Sequence, residues 1–547
     1  MKKRLFLLVT FITLSTVMFA QEKLKSLEED YYDFLSLQGY TERPVLGFRT
    51  LSDSVWNLKE EIEHPWSGNF LGKKYTLWED ESQNENFFTR GFSKSFKLKA
   101  FGPEWFNSYN TNHPQGQNDG ALWQGVGYNT SLSTGLYLEA FGFQATFKPL
   151  ITFNQNKNYT FKEGVYGSPY SYFWTGNIDL VQRYGDSAFW QYDWGDSEIR
   201  YNFYTFTLGF GTQSMWIGPA QLNPMIASNN AGTFPKLDFG FRKTDLYFPF
   251  TKFYLGKLES RIWIGQLTES QYFNNDGIID KNLFNGFNIS FTPAFWENLT
   301  IGATKVCVTR WGNNFWKYIN PFYDDNDVDG IGEDQKGSFY LDILIPDHIF
   351  EFYAEVGFDD YTRGMNAFAN PFHTWIFSLG LNKGFKLGKE NKYALKFYSE
   401  FNFFEMSQDF QLQWCYMGFY SHSKITEGYT QNGQIIGASS GYFGNNQLIG
   451  LQFIYPKGNF DLFVQRNVPD TNYTYNKAVY GSASSLVDSD WIVHETFFTI
   501  GIKGNYFVTD SLILNAEIDY TEIYHPAYIH YTQTRNFRFV LGLKYNL

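Results

Sequence analysis

The stretch Phe537-Arg538-Phe539-Val540-Leu541-Gly542-Leu543-Lys544-Tyr545-Asn546-Leu547 decides how this sequence is read. Every second residue, from Phe537 to Leu547, is apolar, and most of those between them are polar or small. Successive side chains of a β-strand point to opposite faces, so the run has one aromatic-aliphatic face and one mixed face. An alternating, aromatic-rich strand running to the last residue is what an outer-membrane barrel presents on its closing strand. The final Leu, in place of a Phe, is a departure from that pattern.

The same period recurs upstream. Ser95-Phe96-Lys97-Leu98-Lys99-Ala100 alternates, as do residues 135–147, 338–345, 350–355, 394–404, 447–455 and 512–520. The runs amount to about 16–18 strands, each near the 9–11 residues that a tilted membrane strand needs. The expected fold is all-β: a transmembrane antiparallel β-barrel over residues 91–547. Lipid offers no partner for backbone amides, so a chain without long apolar helices can span it only as a closed barrel.

Composition agrees. The 547 residues include 58 Phe, 39 Tyr and 16 Trp, yet only 18% are charged, below the roughly 25% of an average soluble domain. Mean hydropathy is −0.36, which excludes a bundle of membrane helices. Rings facing lipid and the two interfaces, with a polar lumen behind them, reconcile the two figures. A net charge of −12 without a basic stripe argues against nucleic acid as a partner.

Lys2, Lys3 and Arg4 followed by the apolar run 5–17 and Phe19-Ala20 predict a signal peptide over residues 1–20. Residues 21–90 are read as a small helical periplasmic region. Ser26-Leu27-Glu28-Glu29 is a capping box, Leu27, Tyr31, Phe34 and Leu35 share a helical face, and Gly39 supplies a stop. A second helix is expected from Asp53 to Glu63, with Val55, Leu58 and Ile62 on one side. The two cysteines, Cys307 and Cys415, lie in apolar strand-like segments and match no metal pattern; buried thiols are the plain reading, and a disulfide stays open.

Several motifs do not mature into sites. Gly437-Ala438-Ser439-Ser440-Gly441 matches G-x-S-x-G, but that motif needs a helix after the serine, and here another alternating strand follows. Asp325, Asp327, Asp329 and Gly330 open like a calcium loop, with Lys336 where a bidentate Glu is required. An acidic interstrand loop and a calcium site are both compatible with that segment. No cofactor is expected.

Two aromatic segments remain. Residues 166–174 include Trp174, and Phe189-Trp190-Gln191-Tyr192-Asp193-Trp194 follows shortly after. Rings beside Asp, Asn and Gln suit sugars, whose C–H faces stack while their hydroxyls hydrogen-bond. The interfacial girdle of a barrel explains the same rings equally well.

From Gly209 the sequence reads Gly-Phe-Gly-Thr-Gln-Ser-Met-Trp216-Ile-Gly218-Pro219, then Ser228-Asn229-Asn230-Ala231 and Phe234-Pro235. This resembles the capsule assembly Wzi family, where W-x-G-P is followed by S-N-N-A and a proline. Other blocks agree in order: Gly102-Pro103-Glu104, Asn118-Asp119-Gly120-Ala121, residues 123–129 and 263–270, Glu333-Asp334-Gln335, and residues 351–355. Val126 stands where the family usually has Arg. The resemblance implies an outer-membrane barrel of about eighteen strands with a largely filled interior. It also implies a lectin-like, non-enzymatic role in holding capsular or exopolysaccharide at the cell surface, without a cofactor. Trp216, Asn229 and Asn230 would then lie near glycan, although Asn pairs of this kind also serve backbone turns. The expected partners are polysaccharide and outer-membrane lipid, and the expected state is a monomer. The rival functions are a channel for sugars or small solutes and a barrel-borne hydrolase.

Overall fold

The alternating runs pair edge to edge until the last meets the first. The computed structural model describes residues 24–54, 56–58, 62–69, 96–312, 320, 332–359, 375–388, 390–405, 418–474, 477 and 493–546. Among them, eighteen antiparallel strands close into one barrel. The first six are β1 (Phe96–Asn110), β2 (Gly127–Ala140), β3 (Phe143–Phe147 and Leu150–Asn154), β4 (Phe189–Asp193 and Glu198–Phe203), β5 (Phe206–Gly211) and β6 (Lys236–Tyr247). The next six are β7 (Tyr254–Thr268), β8 (Lys281–Pro293), β9 (Leu299–Arg310), β10 (Glu333–Ile345), β11 (Phe350–Asp359) and β12 (Trp375–Leu387). The last are β13 (Tyr393–Phe403), β14 (Asn445–Tyr455), β15 (Gly458–Val468), β16 (Thr496–Phe507), β17 (Leu512–Tyr524) and β18 (Gln533–Tyr545). β18 closes on β1, with Arg538 opposite Asn110 and Lys544 opposite Glu104.

The closing strand divides its faces as the alternation requires. Phe537, Phe539, Leu541 and Tyr545 are exposed on the outside, while Asn536, Arg538 and Val540 are buried inside. Leu132, Ile151, Phe210, Phe339, Leu379, Leu462 and Ile502 on other strands are likewise exposed. Together they give the barrel an apolar outer surface. Gly102-Pro103 interrupts the β1–β2 register between Phe101 and Glu104. A Cβ on Gly102 would lie 1.4 Å from the Tyr545 carbonyl oxygen, so the closing seam admits only glycine there.

Two-residue turns such as 141–142 and 456–457 gather at one end, and the long connections 155–188 and 212–235, with the segment 418–444, at the other. In bacterial barrels the short turns face the periplasm. The N-terminal segment enters at the short-turn end. Helix α1 (Leu27–Leu37) is capped by Ser26, whose Oγ accepts the Glu29 N–H at 3.3 Å, and Gly39 stops it with φ of +73°. Its buried face, Tyr31, Phe34 and Leu35, packs with Trp66 on Ala394, Ile454, Phe507 and Ile513 of the barrel.

The second expected helix does not form where the chain is described. Asn57–Leu58 instead pairs with Thr41–Glu42 as a short strand, and Asp53 is drawn to Arg261 of β7. Tertiary pairing overrides the helical spacing of Val55, Leu58 and Ile62.

Candidate functional site

Two carboxylates on the lumen wall organise the interior. Glu259 of β7 accepts N–H groups from Leu46, Gly47 and Phe48 at 2.7, 3.2 and 2.7 Å. Glu400 of β13 does the same for Gln221, Leu222 and Asn223 at 2.7, 2.9 and 2.8 Å. A buried carboxylate that accepts three successive amides satisfies donors that the segment cannot pair itself. One residue thus holds the N-terminal segment and the other the inward loop 212–235.

The loop and the N-terminal segment meet inside the barrel. Trp216 lies opposite Arg49 and Ile217 opposite Phe48 in a two-residue ladder, and Gly218 donates its N–H to the Gly47 carbonyl. Trp216 is fully buried, with its indole N–H on the Ala220 carbonyl at 2.8 Å. Ser228 donates to the Gly437 carbonyl at 2.6 Å and the Asn230 amide to Ile435 at 2.9 Å. The Asn229 carbonyl accepts from Gly120. These residues therefore stitch three loops together, and Ile226, Phe419, Tyr429 and Phe443 fill the space between them as one apolar cluster.

A cavity of about 570 Å³ remains beside this plug, against β13–β18 and β1. That is within the roughly 300–1,000 Å³ typical of small-ligand sites. Tyr159, Phe161, Tyr398, Phe463 and Phe497 supply ring surface; Gln115, Gln124, Gln182, Gln465 and Asn467 supply amides. One wall is a continuous polar chain. Gln124 donates to Asp119 at 2.6 Å, Arg538 donates to Gln124 at 3.2 Å, and the same guanidinium bridges Glu517 and Asp519 at 2.8 Å each. Such a network fixes side chains before a ligand arrives. The Gln465 Nε2 is buried and has no acceptor among the described residues, which leaves a donor for a ligand oxygen.

Among the titratable groups at the cavity, Glu495 and His113 are shifted by their surroundings. Burial pushes the Glu495 carboxyl up to about 7; Asp470 adds to the rise, while the Ala527 N–H at 2.8 Å and Lys162 restrain it. Burial lowers His113 to about 4, so the imidazole is neutral at pH 7 between the rings of Tyr159 and Phe497.

The structure separates the residues nominated from sequence. Asn230 lines the cavity. Trp174 lies close by, donating to Asp470 at 2.7 Å with its ring against Tyr442 and Tyr473. Trp216 and Asn229 are within the packed plug. Trp190, Tyr192 and Trp194 are exposed on the outer side of β4 and just after its first segment, with Trp190 against Phe153 of β3. Asp325, Asp327 and Asp329 lie outside the described residues, as does Cys415. Cys307 is a buried thiol on β9. Gly437–Gly441 is a loop before β14, and Ser439 donates to Asn223. Gln465, Phe161, Glu259 and Glu400 were not singled out from sequence. For the two glutamates the available signal was a carboxylate on the same parity as Lys257 and Arg261 in one alternating strand and as Lys396 and Asn402 in the other.

A family model described as capsule assembly protein Wzi matches residues 144–464. No curated protein matches the sequence. Among solved structures, the chain is similar to Wzi of Escherichia coli, described as an outer membrane protein involved in group 1 capsule assembly and a carbohydrate-binding β-barrel. That match has a TM-score of 0.54 at 14% identity and covers 82% of this chain and 85% of the other. OccAB1 of Acinetobacter baumannii matches at 0.39 and 11% identity, over 82% and 96% of the two chains. OccD3 of Pseudomonas aeruginosa matches at 0.39 and 9%, over 82% and 91%.

Proposed function

Because the chain belongs to the capsule assembly protein Wzi family, we propose that it is an outer-membrane lectin-like barrel that binds capsular or exopolysaccharide and helps hold it at the cell surface. The observation that carries this reading is the ring- and amide-lined cavity of about 570 Å³ beside the plug. Aromatic faces can take the C–H faces of a pyranose, and fixed amides and carboxylates can take its hydroxyls. The long-loop end is the side on which an external glycan arrives. The proposal assigns no catalytic step and no cofactor, and it takes the protein as a monomer surrounded by lipid. Within it, Trp190, Tyr192 and Trp194 serve the interface with lipid, and Asn230 and Trp174 border the glycan.

The test is binding of the host's surface polysaccharide, cut to oligosaccharides, by the detergent-purified barrel. Phe161→Ala and Gln465→Ala are each expected to weaken binding about 5- to 30-fold, the equivalent of one aromatic contact or hydrogen bond (about 1–2 kcal/mol). Trp190→Ala should leave affinity unchanged. If the wild-type barrel binds no native glycan, or if Trp190→Ala weakens binding while the cavity variants do not, the reading is wrong.

A further inference from the structure

Away from the cavity, three carboxylates converge at the long-loop end of β7–β9. Glu269 follows β7, Asp280 precedes β8, and Glu427 comes from the inward segment 418–444. One carboxylate oxygen from each lies within 4.8 Å of the others. Glu269 and Glu427 are 4% and 3% exposed, whereas the Asp280 side chain is partly open. Asp179, fully buried, stands close enough to repel Glu269 and is held by both the N–H and the hydroxyl of Ser270.

Among the described residues, one cation is paired with any of these four carboxylates. Arg310 at the end of β9 donates to Asp280 at 2.9 Å and to Glu427 at 2.5 Å. It does not reach the rest. Glu269 Oε2 accepts the Asp280 N–H at 2.9 Å, but Glu269 Oε1 is buried with no donor among the described residues. Asn282 gives its amide N–H to Glu427 at 3.2 Å, and its own carbonyl oxygen is also buried without a donor. An unsatisfied buried acceptor costs about 1–3 kcal/mol, and two of them flank the same carboxylate. Acceptors without donors in an acidic pocket call for a cation.

We propose that Glu269, Asp280, Glu427 and Asn282 form a divalent-cation site of calcium type, distinct from the Asp325–Asp329 segment. All the candidate ligands are oxygens, as a hard cation requires. Calcium–oxygen distances of 2.3–2.6 Å let ligands on opposite sides of an ion stand up to roughly 5 Å apart, which accommodates oxygens that lie within 4.8 Å of one another. The remaining coordination falls to water through the open Asp280 side. Burial, opposed by the Asp280 N–H and reinforced by Asp179, Glu427 and Asp280, pushes Glu269 up to about 7, the response expected where countercharge is short. The bound ion would tie the plug's Glu427 to the β7–β8 loop. This assignment does not depend on the glycan reading.

The experiment is calorimetric titration of calcium into the chelator-treated full-length barrel in detergent, with terbium luminescence as a second readout. One site per chain is expected in the wild type. Glu269→Gln and Asp280→Asn should each weaken it at least tenfold, whereas Asp327→Ala with Asp329→Ala should not. If Glu269→Gln does not fold, the partly exposed Asp280→Asn decides. No stoichiometric uptake by the wild type would overturn the proposal. So would uptake that survives Asp280→Asn but is lost in the Asp327/Asp329 variant.

Discussion

Asp53 sits where the N-terminal segment meets the lumen wall, 2.8 Å from Arg261, in a buried chain that runs on through Asp238 and Arg200 to Glu198. Burial alone would raise its carboxyl, but Arg261, Arg200 and Arg242 outweigh that and hold it at about 2. Its folded value is thus below its unfolded value near 3.8, so the stabilisation is full above pH 4 and is lost as pH falls through about 2. The difference corresponds to about 2 kcal/mol. Wild type and Asp53→Asn should therefore differ by that amount in unfolding free energy from urea titration at pH 6 and converge near pH 2. A gap that stays constant with pH would sink the assignment. Sequence reading could not find this pairing, because residues 208 positions apart meet only in the closed barrel.

At the scale of elements, the amides of residues 46–48 are held by a single side chain of β7. Glu259→Ala removes the acceptor for three consecutive amides and leaves them buried, at about 1–3 kcal/mol for each. Faster hydrogen exchange at residues 46–48 is expected, with strand exchange in β14–β18 unchanged; Glu259→Gln, which keeps one acceptor oxygen, should be intermediate. Protection equal to wild type in Glu259→Ala would show that the segment is held otherwise. The capping box before α1 was legible because its contacts span three residues. The misread helix at 53–63 had a comparable local pattern, but Asn57–Leu58 found a partner strand at Thr41–Glu42. A strand's partner lies beyond the reach of any local periodicity.

At the scale of the whole molecule, the N-terminal segment enters from one end and the segments 155–188, 212–235 and 418–444 from the other, and the second of these meets it at the Trp216–Ile217 and Phe48–Arg49 ladder. A lumen occupied in this way should pass little current. The full chain in planar bilayers is expected to give no stable open-pore conductance, and deletion of residues 24–69 to raise it. Sustained large steps from the intact chain would favour the channel reading over the lectin.

Period-2 alternation, together with the aromatic load and the lack of long apolar helices in the sequence, pointed to a barrel, since it records which residues of each strand share one face. Phe537 to Tyr545 needed no partner to disclose that. The ordered Trp216-to-Pro235 blocks likewise carried the family. The contents of the lumen were decided only by the tertiary structure. The cavity draws its walls from residues between Phe106 and Arg538, and the acidic cluster joins residues 269, 280 and 427. Closing the sheet is what brings such distant residues together. Trp190 and Phe161 are alike in sequence as aromatic residues in polar company, and only closure of the barrel put one outside and the other against the cavity.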